Sequence, residues 1–344
     1  MLICARRTRL PKLVFQAVAL FALPLVAGAG QVVIVQTNAA GDNIHLIDPA
    51  TNKVVAEIKG IEVNHGAAAA PDGSRFYFSN EADHTLDAVD RKSLAVTKKI
   101  PLSGRPNNVA MSRDGRRVYV AIVSPPGAVD VIDTISLKNA KSIATQGGVH
   151  NTFVTPDGKF VVAGSILGRN LTVIDSKSEE PVWSLDFDNG VRPIGFETNP
   201  DGSTRRMFVQ ISNFHGFYVV DFEKRKEISR VTLPNLPLEK RHLDTLQGSP
   251  SHGIGVAPNG KTLWVCSKVN SHVYAYSLPD LKLLGGVHVG NHPDWLTFTP
   301  DSKTVYVANA ASNSVSAVDI ALRKEIARIP VGQVPKRNIT AVLP

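Results

Sequence analysis

The stretch GGVHNTFVTPDGKFVVAG, residues 147–164, reads as two short β-strands around a tight turn. Pro156 and Asp157 start the turn and Gly158 supplies its left-handed residue, because proline presets φ and glycine adopts positive φ without a steric penalty. The same punctuation occurs as PDG at 71, RDG at 113, PDG at 200, PNG at 258 and PDS at 300. Including the turn at 156, the successive spacings are 42, 43, 44, 58 and 42 residues. A short apolar run precedes each turn (NVAMS, TFVT, GIGVA, WLTFT), and a β-branched or aromatic run follows it (RFYFSN, RVYVAI, LWVCSK, VYVANA).

A third run then ends at Asp (LDAVD, VDVID, LTVID, YVVD, VSAVD), and a fourth completes the unit (AVTKKI, PVWSLDF, EISRVTL, EIARIPVG). Four strands in roughly 40–45 residues is the period of a propeller blade. Six units leave the two ends complementary. NITAVL near the C-terminus offers a first strand, while VVIVQTN, NIHLID and VVAEIKG offer the other three. The expected fold is therefore all-β, a seven-bladed β-propeller of four-stranded antiparallel blades closed by both termini in one blade, which removes exposed sheet edges. Residues 30–344 are expected to form this single domain, since no linker or shift in composition divides them.

With 43% apolar and 20% charged residues, the chain has the composition of a packed protein rather than a disordered one. Residues 1–29 place Arg6, Arg7, Arg9 and Lys12 ahead of an apolar run from Leu13 to Val26 and end on Ala27-Gly28-Ala29. That is the tripartite pattern of a cleaved signal peptide, too short and too interrupted by Pro24 for a membrane span. RRTRL is weakly similar to a twin-arginine export signal. A periplasmic or secreted protein with no transmembrane span after cleavage is expected. Cleavage removes four of 38 cations and no acid, lowering the formal charge from +8 to +4 and with it the compositional support for nucleic acid binding. Cys4 leaves with the signal, and Cys266 reads as a buried, inert thiol.

The phrases DSKTVYVANAASNSVSAVD, EIARIPVGQVP and RPNNVAMSRDGRRVYVA resemble the YVTN-type β-propeller repeats of secreted and periplasmic microbial proteins, a WD40-like repeat class. The resemblance covers residues 31–344 and implies architecture rather than activity, since related folds include surface proteins, lactonases, lyases and the propellers of haem, copper and quinone enzymes.

In such a fold the first strand of each blade lines the central channel. Counting back six residues from each turn gives His65, Asn107, His150, Ile194, His252 and Asp294, with Lys336 at the matching place in the last strand. His292 lies two residues before Asp294, and His242 lies in the one long insertion, about 233–250, which reads as a lid or a surface excursion. Imidazoles with a carboxylate suit a divalent or transition metal, so His65, His150, His252, His292 and Asp294 are candidate ligands for copper, zinc or iron, or for a metal-held cofactor. The chain resembles the copper-binding propeller of nitrous oxide reductase in its histidine-rich channel mouth, though with fewer histidines. Arg105, Asn107, Arg192, His242 and Lys336 offer instead a site for a small anion, and a histidine there could serve as general base in a lactonase-like hydrolase or a lyase. A blander alternative has each histidine bonded to a loop carbonyl, and a third function class is a scaffold for protein or envelope partners. No phosphate-binding glycine motif, HExxH or CxxCH occurs, so no nucleotide cofactor is expected.

Overall fold

The repeated turns form where the sequence places them. In a computed structural model that describes residues 30–243 and 248–343, Gly73, Gly115, Gly158, Gly202 and Gly260 all take positive φ, from 66° to 84°. Ser302 holds the same place in the sixth turn at φ 57°. The expected signal peptide and the tip of the 233–250 insertion lie outside the described residues.

Seven four-stranded antiparallel sheets result. Six of them run through consecutive strands; the seventh sets Pro335–Leu343 beside Gln31–Asn38, with Gln31 opposite Leu343 and Gln36 opposite Asn338. Asn43–Asp48 and Lys53–Lys59 complete that closing blade. The third-strand aspartates are turn caps. Asp90 accepts bonds of 2.8 Å from both the backbone N–H and the hydroxyl of Ser93, and Asp133 and Asp175 accept the equivalent backbone bonds from Ser136 and Ser178. No helix among the described residues is long and apolar enough to cross a membrane.

The core lies between blades. Tyr77, Tyr119, Phe208, Trp264 and Tyr306 share one register position on the second strands, and all are fully buried. Each contributes roughly 1.5–3 kcal/mol by leaving water. Cys266 is buried beside Trp264, and burial pushes its thiol well above the usual range, as an inert cysteine requires.

One irregularity repeats in all seven blades. Asn64 pairs with Asn80, but Ala67 pairs with Phe78, so His65 and Gly66 together face one residue, Ser79. The same slip separates Pro106 from Val109, Val149 from Asn151, Val191 from Ile194, Ser251 from Ile254, Pro293 from Trp295 and Pro335 from Asn338. A β-bulge re-aims the residues it contains. Here it sits at the start of every innermost strand.

Candidate functional site

The seven bulges place His65, Asn107, His150, Arg192, His252, Asp294 and Lys336 in one ring at the channel mouth. Arg192, not Ile194, belongs to it. The strand Val191–Thr198 has eight residues where five of its counterparts have six, so counting back six from the turn stops two residues short. Strand pairing corrects the count, because Val191 opposite Ile211 and Ile194 opposite Val209 reproduce Ser251 opposite Ser267 and Ile254 opposite Val265.

The second residue of the last bulge, Arg337, organises the ring. It is 1% exposed, and its guanidinium lies 3.9 Å over the Trp295 ring. Its Nη2 donates to Asn107 Oδ1 and to Asn151 Oδ1, at 3.1 Å each. An arginine only donates, so both amide oxygens must face it, which turns the two amide nitrogens outward. Asn107 Nδ2 then donates to Glu81 Oε1 at 3.3 Å, and Asn151 Nδ2 donates to His150 Nδ1 at 2.7 Å. The network therefore assigns the proton of neutral His150 to Nε2.

His252 has the opposite tautomer. Its Nδ1 lies 2.7 Å from the main-chain oxygen of Asp294, which can only accept, so Nδ1 carries the proton and Nε2 the lone pair. His65 Nδ1 lies 2.5 Å from Glu81 Oε1, and a carboxylate that close calls for the proton on Nδ1 there too. The His150 and His252 rings stand edge to face with centroids 6.4 Å apart. Burial, reinforced by Arg337, His252, Arg192 and His65, holds His150 well below the usual imidazole range. Burial does the same to His252 and outweighs the pull of Asp294. Both imidazoles are neutral at pH 7, one offering a donor and the other an acceptor.

Charge gathers around two carboxylates. Asp294, 2% exposed, receives Lys268 Nζ at 3.1 Å, with Lys336 Nζ and Arg337 Nη1 each at 3.9 Å. Burial opposes its ionisation, but Lys336, Lys268, His252 and Arg337 together hold the carboxyl well below the carboxylate range. Asp294 pulls Lys336 upward, yet burial with Lys268 and Arg337 wins and leaves that ammonium below the usual lysine range. Burial brings Arg337 down to about 10. Glu81, held below its usual range by His65, Arg105 and Arg337 against burial, lies 3.6 Å from Arg105. Lys268, Lys336, Arg337 and Arg105 thus surround Glu81 and Asp294, an excess of positive charge before Arg192 is added.

The remaining expected residues separate. Arg192 Nε donates to Ser212 Oγ at 2.8 Å. His242 and His292 pair with each other, ring centroids 6.3 Å apart, and the His242 backbone bonds to Val269. Among the described residues no three His, Cys, Asp or Glu side chains are grouped as metal ligands. Sequence reading missed Lys268 and Ser212, which, like Glu81, each follow a second strand directly at one repeat position. A second aligned column would have found them.

Comparisons with known proteins agree on the architecture. The curated hydrazine synthase subunit beta of Kuenenia stuttgartiensis is 26% identical over 266 residues, 70% of this chain, and the chain spans 60% of that relative's length. A structure of Kuenenia stuttgartiensis hydrazine synthase matches with TM-score 0.72 and 22% identity, covering 89% of this chain and 99% of that one. Dihydro-heme d1 dehydrogenase NirN in complex with DHE matches with TM-score 0.63 and 17% identity, covering 87% and 63%. Two family descriptions overlap on the sequence, Cytochrome D1 heme domain at residues 28–203 and Lactonase, 7-bladed beta-propeller at residues 124–324. The chain belongs to the seven-bladed β-propellers that these two families describe.

Proposed function

We propose that this protein binds a small organic anion at the bulged ring of its channel, through Lys336, Arg192, Arg105 and the Nε2–H of His150. The observation that carries this reading is the His150 tautomer: the Arg337–Asn151 relay makes that imidazole a hydrogen-bond donor amid excess positive charge. A protonated ring nitrogen suits an oxyanion and cannot ligate a metal. Cations held below their usual range by burial and by each other gain most from a bound negative charge. If the anion also carries a lactone ring, the Lactonase description points to its hydrolysis, with His252 Nε2 as the base for water. Export into the periplasm or medium, with residues 1–29 removed and residues 30–344 as the mature domain, is part of the same proposal.

Calorimetric titration at low salt with malonate, succinate and citrate tests it. One anion should bind per chain, and Lys336→Met should weaken it at least tenfold. Absence of binding, or affinity indifferent to Lys336→Met, removes the proposal.

A metal-held cofactor is the second reading, favoured by the family described as a heme domain. His252 and His65 are the imidazoles whose Nε2 lone pairs could ligate. His150, with its proton on Nε2 and its Nδ1 held by Asn151, presents no lone pair, so the facing rings offer an iron one ligand rather than two, and no step is routed through a haem. Metal content and the visible spectrum of the purified protein test this reading directly.

A further inference from the structure

We infer that the other half of the channel is a separate binding site for a small aromatic carboxylate. Beyond the bulges the same seven strands enclose a cavity of about 490 Å³, within the range of small-molecule pockets. Its lining is thin where the strands carry Ala110, Gly195 and Gly255, and a side chain at Gly195 would meet the Gly255 backbone at 3.4 Å. A side chain at Gly255 would meet Leu296 and Phe298 at 3.0 Å, so the wall behind it is already formed.

That wall is aromatic. Phe153 and Trp295 lie 5° from parallel with centroids 6.3 Å apart, and Phe196 meets Phe153 at 6.0 Å in an edge arrangement. Phe298 and Ile254 extend the apolar lining. A flat ring inserted here meets faces and edges suited to offset or T-shaped contacts. Arg337 and Asn108 close the cavity toward the polar ring. The Arg337 guanidinium remains cationic at neutral pH, its Asp294 contact is 3.9 Å long, and its Nε has no hydrogen-bond partner among the described residues. A carboxylate beneath it gains a charge-assisted contact in a low-dielectric site, whereas an uncharged ring gains only the walls.

The probe is 2-naphthoate, followed by its own fluorescence, with 2-naphthamide as the uncharged counterpart. Naphthoate should bind one per chain and at least tenfold more tightly than the amide. It should be undisturbed by saturating citrate, which addresses the polar ring. Ala110→Phe, which fills the cavity, should abolish binding; should that variant not fold, Phe153→Leu should weaken it severalfold. Absence of binding, equal affinity for the amide, displacement by citrate, or full affinity in a folded Ala110→Phe or Phe153→Leu protein each overturns the inference.

Discussion

Toward one mouth of the channel, seven bulged positions carry three imidazoles, three charged side chains and an amide; toward the other, the next residues of the same strands carry Phe153, Phe196, Trp295 and Phe298 around open space. The backbone scaffold of the two halves is common, so their difference resides in side chains and in the bulge that turns two consecutive residues inward. Arg337 divides them: its charge belongs to the polar half, with Asn107, Asn151 and Asp294, while its flat face rests on Trp295. A repeated fold thus fixes the propeller and leaves one ring free to specify chemistry.

The largest expected break in this contrast comes from Asp294→Asn. It leaves Lys268 and Lys336 beside Arg337 without their shared counter-ion, and removing one partner of a buried ion cluster typically costs about 3–5 kcal/mol. Urea unfolding should show that loss, while Phe153→Leu in the aromatic half should cost far less. A loss from Asp294→Asn below about 1 kcal/mol would place the lysines in water, at the value of a surface pair, and erase the electrical difference between the halves.

A smaller effect distinguishes the halves by pH. His150 and His252 have folded-state values well below 6.5, so the unfolded chain binds more protons as the pH drops below that point. Stability should therefore decline as the pH falls through about 6.5 and below. Asp294, depressed below 3.8 in the fold, extends the decline into stronger acid, because its stabilisation is lost as pH falls from the unfolded value through the folded one. His252→Gln should reduce the slope below pH 6.5 by up to about 1.4 kcal/mol per pH unit, and Phe298→Leu should leave it unchanged. Equal slopes in the wild-type and His252→Gln proteins would mean that His252 titrates normally in the fold.

Much of the fold was legible because its punctuation has a local cause. Turns that need positive φ show themselves as PDG and PNG, and strands that pack on both faces show themselves as β-branched runs. The closing blade followed from the leftover strands at the two ends. Five members of the ring were legible by counting from the turns through His65, Asn107, His150, His252 and Asp294, and Lys336 by the same spacing in the last strand. Arg192 was noted for its charge but placed outside that column, because its strand is two residues longer beyond the bulge. The role of Arg337 depends on a bulge turning two neighbours to one side, and alternation of side chains in a regular strand predicts the reverse. Lys268 and Ser212 directly follow second strands, in a column that had no histidine to draw notice.

Nitrogen-15 NMR of histidine-labelled protein, with signals assigned through His150→Gln and His252→Gln, tests the central claim most directly. At pH 7 His150 should be protonated at Nε2 and His252 at Nδ1, and citrate should move the His150 Nε2–H signal. His150 protonated at Nδ1, or a ring that answers to zinc or copper ions and not to citrate, would contradict an anion site and make the ring a metal centre.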